Sequence, residues 1–97
     1  MQIEKTNDTV LFRPGGELSL ENISQVKSEI LKQIEGFTRI IIDMKHLDYI
    51  DSSAIGMLVV LHKKFSAENK IFMLIDVPET VFEILRLGHM DKLFTIR

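Results

Sequence analysis

Asp51-Ser52-Ser53-Ala54-Ile55-Gly56 is the segment in which a predicted buried strand gives way to a long apolar helix. The strand precedes it as Ile40-Ile41-Ile42-Asp43-Met44, and we expect the helix to run from Ser52 to about Ala67. Asp51 is a suitable N-cap residue. The two serines then lie on the first helical turn, where backbone N–H groups lack intrahelical partners and the helix dipole is positive. Such a turn accommodates added negative charge, including that of a phosphate group.

The rest of the sequence predicts an alternation of strands and helices around this segment. Such an order is typical of an α/β fold with right-handed crossovers and a small, mixed, largely parallel sheet. We expect about four to five strands and three or more helices, the helices mainly on one face. The continuous apolar run at 39–44 predicts a central strand that is buried on both faces. The predicted strands are 2–5, 10–14, 39–44, 71–75 and 93–96, and the other helices begin after Ser19 or Asn22 as a cap and near Pro78.

Composition limits the classes of function. The 97 residues suit one domain over 1–97, and the formal net charge of −2 disfavours nucleic-acid binding. The chain has no cysteine, which excludes disulfides and thiolate metal sites. No apolar run is long enough to span a bilayer, and the first residues do not resemble a signal peptide. We therefore expect a cytoplasmic protein without membrane insertion.

The helix after Asp51 carries more apolar residues than one core-facing stripe requires. Met57 and either Val60 or Val59 are expected outside the core, near Ser53 and Gly56, with Lys63 and Lys64 one or two turns further on. Exposed apolar residues of this kind often mark a partner-binding surface. A helical glycine costs about 1 kcal/mol relative to alanine, which close approach of another backbone would explain. The alternative is purely structural: Asp51 and a serine cap the helix, and Gly56 permits tight packing on the sheet.

The same segment resembles the signature of the STAS family, the anti-sigma factor antagonists. Its usual form is an apolar residue followed by Asp-Ser-Ser/Thr-Gly-Leu-Gly, and Leu47-Asp48-Tyr49-Ile50 leads into it here. Gly16-Glu17-Leu18 resembles a second recurrent segment of that family. The predicted order of elements matches along nearly the whole chain. The resemblance therefore implies a stand-alone STAS protein of the phosphorylatable type.

This resemblance implies a protein-binding switch and not an enzyme. An anti-sigma factor that is also a serine kinase, of the histidine-kinase-like ATPase type, would phosphorylate Ser52, and a PP2C-type phosphatase would reverse the reaction. The unphosphorylated form would bind the kinase and free a sigma factor or other client. Ser53 is the secondary candidate for modification. The residues expected to contact the partner are Asp51, Ser53, Ala54, Gly56, Met57, Val60, Lys63 and Ser19.

Two positions depart from the usual STAS pattern. Ala54 replaces the glycine that follows the serines, which is expected to add a methyl group beside the docking surface. Ser19 stands where many phosphorylated members have an aspartate after Gly-Glu-Leu. We expect the loop that contains Ser19 to lie near the two serines, so the local charge would differ there.

Two other classes of function compete with this interpretation. A hydrolase would need glycines on both sides of its serine, as in G-x-S-x-G, but Ile50 and Ala54 occupy those positions. The three histidines do not have a metal-ligand spacing, and no glycine-rich phosphate loop is present, so no cofactor or metal is expected. The other alternative is a STAS scaffold that is not phosphorylated, such as a small subunit of a signalling or lipid-transport assembly.

Overall fold

The computed structural model describes residues 1–97, which form seven strands and three helices. The predicted helix after Asp51 spans the residues expected for it. The elements in chain order are β1 (Gln2–Thr6), β2 (Thr9–Arg13), β3 (Gly16–Leu18), α1 (Ile23–Gln33), β4 (Arg39–Asp43), β5 (Leu47–Ile50), α2 (Ser52–Ala67), β6 (Ile71–Ile75), α3 (Glu79–Leu87) and β7 (Thr95–Ile96).

The main sheet has five strands in the order β1-β2-β4-β6-β7. β1 and β2 form an antiparallel hairpin, and every other neighbouring pair in this sheet is parallel. β4 lies in the middle, as its apolar sequence predicts. The structure thus confirms the predicted α/β fold with a mixed, largely parallel sheet.

One face of the main sheet forms the hydrophobic core with the helices. From β2 onward the strands are added in one direction across the sheet, and right-handed crossovers then place all three helices on the same side. Buried residues consequently alternate along β2 and β6 with residues that are half-buried or exposed. The buried rows in register are Val10, Ile40 and Phe72, followed by Phe12, Ile42 and Leu74.

The prediction that β4 is buried on both faces is wrong. Ile41 points to the other face of the sheet and is only half-buried, as are its neighbours in register, Leu11 and Met73. No helix covers this face. The run of three isoleucines at 40–42 therefore does not mean that helices cover both faces of the sheet.

A second sheet consists of β3 and β5, which pair in parallel and were not among the predicted strands. β3 has only three residues, so an alternation of apolar and polar residues cannot be detected in its sequence. α1 follows β3 and α2 follows β5 along the chain, so this pairing holds the starts of the two helices side by side.

The first helix begins differently from the prediction. Asn22 occupies the N-cap position of α1, but its side chain does not cap the helix. Its Oδ1 accepts a hydrogen bond from the Ser19 N–H, and its Nδ2 donates to the Glu17 carbonyl oxygen. Ser19 does not cap the helix with its hydroxyl either, because that group donates to Glu17 Oε1. Both side chains instead brace the loop before α1.

Candidate functional site

The N-terminus of α2 is set by Asp51, whose backbone is extended and whose side chain caps the helix. Oδ1 of Asp51 accepts a hydrogen bond from the Ala54 N–H at 3.1 Å. Helical backbone therefore begins at Ser52, and Ser52 and Ser53 occupy the first turn, as predicted. Free N–H groups and the positive end of the helix dipole lie at this turn.

Asp51 also ties this turn to the loop before α1. Its Oδ2 accepts a hydrogen bond from the Leu20 N–H at 3.0 Å, and its own N–H donates to the Leu18 carbonyl oxygen at 3.1 Å. The loop that contains Ser19 therefore lies beside the two serines, as the sequence led us to expect. Asp51 fixes the position of the serines relative to a second segment of the chain.

The Asp51 carboxylate is held in its ionised form. Partial desolvation raises its pKa, but hydrogen bonds from the N–H groups of Leu20, Ala54 and Ser53 outweigh desolvation and leave the pKa below its ordinary value. A carboxylate that accepts several backbone N–H bonds is stabilised in its charged form. Asp51 is thus a structural anion next to Ser52.

The two serines differ in their exposure. Ser52 is exposed, whereas Ser53 is half-buried and lines a groove between α1 and α2. A kinase can reach a hydroxyl on the surface more readily than one at the wall of a groove. The geometry therefore favours Ser52 over Ser53 as the more accessible hydroxyl.

The groove between α1 and α2 has a volume of about 220 Å³. We call it the α1–α2 groove and define it by Ile23 and Lys27 of α1 and by Ser53, Gly56, Met57 and Val60 of α2. It collects four of the residues expected to contact a partner. The spacing of three and four residues along α2 places them on one helix face.

Two of these residues are exposed in the groove. Val60 keeps 47% of its side-chain surface exposed, which is high for a branched apolar residue. Gly56 is exposed, and a Cβ atom built on it would meet no atom within 4 Å. The alternative that Gly56 permits tight packing on the sheet is therefore wrong, since no part of this chain approaches it.

Three further expectations about α2 have mixed outcomes. Met57 lines the groove but is only 5% exposed, so it forms the floor and belongs mostly to the core. Ala54 is fully buried, so its methyl group packs in the core and the expectation that it lies on the docking surface is wrong. Lys63 is exposed and makes no ion pair within the chain.

Sequence reasoning did not identify the contribution of α1. Ile23 and Lys27 face α2 across the groove, although neither is among the residues expected to contact a partner. Helical periodicity tells which residues of α1 share a face. It does not tell which other helix lies beside that face, so only the packing of α1 on α2 reveals these residues.

Two further features concern possible metal ligands and the character of the helices. No three histidine, aspartate or glutamate side chains are grouped closely enough to hold a metal ion. None of the helices has the length and apolar character needed to cross a membrane.

Comparison with known protein families gives a match over the whole chain. A family model described as STAS domain matches residues 1–97. A protein of Thermotoga maritima named as a candidate anti-sigma factor antagonist is 27% identical over 92 residues, which cover 93% of this chain and 81% of that protein.

Solved structures share the fold. The crystal structure of a candidate anti-sigma factor antagonist from Thermotoga maritima has a TM-score of 0.91 at 26% identity, over 98% of this chain and 83% of that chain. The anti-sigma factor antagonist SpoIIAA in its unphosphorylated form has a TM-score of 0.82 at 24% identity, over 99% of this chain and 86% of that chain. The phosphorylated form of the Bacillus SpoIIAA has a TM-score of 0.75 at 23% identity, over 99% of this chain and 89% of that chain. At these low identities the likeness to SpoIIAA shows a shared fold.

Proposed function

The chain belongs to the STAS domain family, and from this premise we propose that it is an anti-sigma factor antagonist, a protein-binding switch controlled by phosphorylation of Ser52. The naming of its Thermotoga relative supports the antagonist role. The observation that carries the proposal is the exposed Ser52 on the first turn of α2, held beside the loop before α1 by Asp51.

The partner in this proposal is an anti-sigma factor that is also a serine kinase of the histidine-kinase-like ATPase type. It binds the unphosphorylated protein, phosphorylates Ser52 and is then released, and a PP2C-type phosphatase restores the binding form. Because the kinase uses ATP, the exchange takes place in the cytoplasm. The fold supports this scheme, since it is shared with an antagonist known in both an unphosphorylated and a phosphorylated form.

The electrostatics of the site explain how a phosphate releases the partner while the fold stays unchanged. A phosphoserine adds about −1.5 to −2 charges at pH 7. The N-terminus of α2 accommodates this charge, so the protein itself need not rearrange. A partner surface that covers the site must desolvate or pair the same charge, which is costly. Asp51, already ionised beside Ser52, adds to the repulsion of any acidic group on the partner.

No catalytic step by this chain itself is part of the proposal. Its serines lack the flanking glycines of a nucleophile elbow. The residues around them include an exposed glycine and an exposed valine, which suit contact with another protein.

Mass spectrometry of the intact protein tests the proposal. The protein is incubated with ATP and an extract of its own host, and the expected result is a gain of one phosphate. Ser52→Ala should abolish the gain, whereas Ser53→Ala, the matched control one residue away, should retain it. A gain that persists in Ser52→Ala would contradict the assignment of Ser52. A stable complex without any phosphate would favour the unphosphorylated STAS scaffold instead.

Binding provides the second measurement. The unphosphorylated protein, immobilised as bait, should retain a kinase-type partner from the extract, and Ser52→Asp should retain less of it. Equal retention by the two proteins would count against release by added charge.

A further inference from the structure

Lysines without acidic partners surround the α1–α2 groove. Lys27 lines it directly, and a second depression of about 410 Å³ adjoins it through Ser24 and Lys27 and is lined further by Leu31 and Lys32. Lys63 lies one turn beyond Val60 on α2. None of these three lysines makes an ion pair within the chain.

No acidic side chain lines this surface, and the ionised Asp51 caps α2 at the end of the groove marked by Ser53. No aspartate or glutamate lines the groove or its adjoining depression. α2 contains none, and the single acidic residue of α1, Glu29, lines a separate depression on another side of that helix. A local basic surface is notable because the chain as a whole carries a formal charge of −2.

We propose that the α1–α2 groove is the docking site for an acidic amphipathic helix of the protein partner. Charge complementarity specifies the acidic face of the occupant, since Lys27, Lys32 and Lys63 are free to pair with carboxylates at the edges of the groove. The exposed apolar surface of Val60 and Leu31 receives the apolar face of the occupant.

The two helices that form the walls of the groove favour a helical occupant over an extended one. Both walls are helices whose internal backbone groups are already paired, so they offer no sheet edge to an extended peptide. An occupant that lies between them must satisfy its own backbone, which an amphipathic helix does. The distance from Ser53 to Lys63 along α2 is about 15 Å, which corresponds to about three helical turns of the occupant.

Gly56 supports this occupant independently of the charges. It is exposed on the wall of the groove, a Cβ atom built on it would meet no other part of the chain within 4 Å, and it has no positive φ that would require glycine. The missing side chain lets the backbone of a docked helix approach α2 closely.

The inference rests on the proposed function in one respect, because it states how the phosphate would act on this site. Ser53 and Lys27 line the same groove, and Ser52 adjoins Ser53. A phosphate on Ser52 would add negative charge at the end of a basic groove and would repel an acidic helix. Dephosphorylation would restore the attraction.

A peptide titration tests the docking site directly. The probe is a synthetic, helix-stabilised peptide of about 15 residues, about four turns long, with leucine on one face and glutamate on the other. Isotope-labelled full-length protein is titrated with it and followed by NMR. We expect shifts at the amides of Ile23, Lys27, Gly56 and Val60, and weaker binding as salt increases. A peptide with lysine in place of glutamate should not bind.

Matched variants separate charge from apolar contact. Lys27→Glu should weaken binding about tenfold by replacing attraction with repulsion, whereas Lys92→Glu, outside the groove, should not change it. Val60→Glu should abolish binding, and Leu87→Glu, at a more exposed apolar position on α3, should leave it intact. Circular dichroism confirms that each variant is folded.

The outcomes are distinguishable from those of the phosphorylation experiment. No binding of the acidic peptide, or equal binding by wild type and Lys27→Glu, would overturn the docking site even if Ser52 gains a phosphate. Binding to phosphatidylglycerol vesicles with the same dependence on Lys27 would overturn it in favour of a lipid surface. Peptide binding without phosphorylation of Ser52 would support the docking site and reject the switch.

Discussion

Replacing Gly56 with alanine should stabilise the protein and weaken its complex. Gly56 lies in the interior of α2, where alanine is favoured over glycine by about 0.5–1 kcal/mol. The new methyl group would meet no atom within 4 Å, and the backbone at this position has no positive φ, so no strain offsets the gain. For a domain of about 100 residues, 1 kcal/mol corresponds to about 4–8 °C in Tm.

The effect on binding has the opposite sign. If the backbone of a partner packs against Gly56, an added methyl group must push it away or displace α2, at a cost of about 1–3 kcal/mol. This corresponds to a loss of affinity of about fivefold to more than a hundredfold. A substitution that raises stability and lowers affinity is the signature of a residue retained for binding.

Urea unfolding, followed by circular dichroism, measures the stability of Gly56→Ala. Isothermal titration calorimetry measures its affinity for the acidic peptide and for the kinase recovered from the host extract. Ser66→Ala is the matched control, because this exposed position on another face of α2 should gain about 0.5 kcal/mol or less without a change in affinity. If Gly56→Ala were less stable than the wild type, the claim that a methyl group at this position meets no other part of the chain would be refuted. A stabilised variant with unchanged affinity would refute close approach by a partner.

Three further predictions concern the carboxylates that hold the fold and the site together. Asp43 is buried, with 1% of its side chain exposed, and it accepts a hydrogen bond from Arg13 Nε at 2.8 Å. Asp43→Ala leaves the Arg13 guanidinium without this partner, so it should lower the free energy of unfolding, measured by urea titration, by about 1–3 kcal/mol. The matched change Glu83→Ala, in an exposed pair, should leave the midpoint nearly unchanged. Desolvation raises the pKa of Asp43 and of Asp51, but hydrogen bonds outweigh it and hold both pKa values below the ordinary range. The two ionised carboxylates therefore stabilise the folded state at any pH above their unfolded-state pKa of about 3.9. As the pH falls through their lower folded-state pKa values, acid titration should show that this stabilisation is lost. A pH dependence that is identical in wild type and Asp43→Ala would contradict this assignment. Asp51→Ala should speed hydrogen exchange at the Leu20 and Ala54 amides, which donate to the Asp51 carboxylate. Unchanged exchange rates would show that these two hydrogen bonds do not protect the amides.

The uncovered face of the main sheet shows where periodicity misleads. Ile40 and Ile42 belong to the core, but Ile41 between them lies on a face without helices. Successive side chains of a strand point to opposite faces of the sheet. A run of isoleucines therefore indicates only that neither face of the sheet is strongly polar at that strand. Which faces receive helices depends on the direction in which successive strands are added, and that is a property of the whole sheet.

The helix beginning at Ser52 was predictable because its signals are local. The N-cap Asp51, the apolar run after it and the left-handed Asn69 that follows its end all act through bonds within a few residues. The alternation of strands and helices likewise follows from patterns within each segment.

Sequence by itself thus determined the α/β fold, the limits of α2 and the place of the two serines. Only the tertiary structure decided what surrounds them. The hydrogen bond from Leu20 to Asp51 joins residues that are 31 positions apart, and Lys27 and Ser53 line the α1–α2 groove from different helices. It also placed Ala54 in the core and left Gly56 open. Such contacts depend on how separate elements pack against each other, and no local pattern encodes that packing.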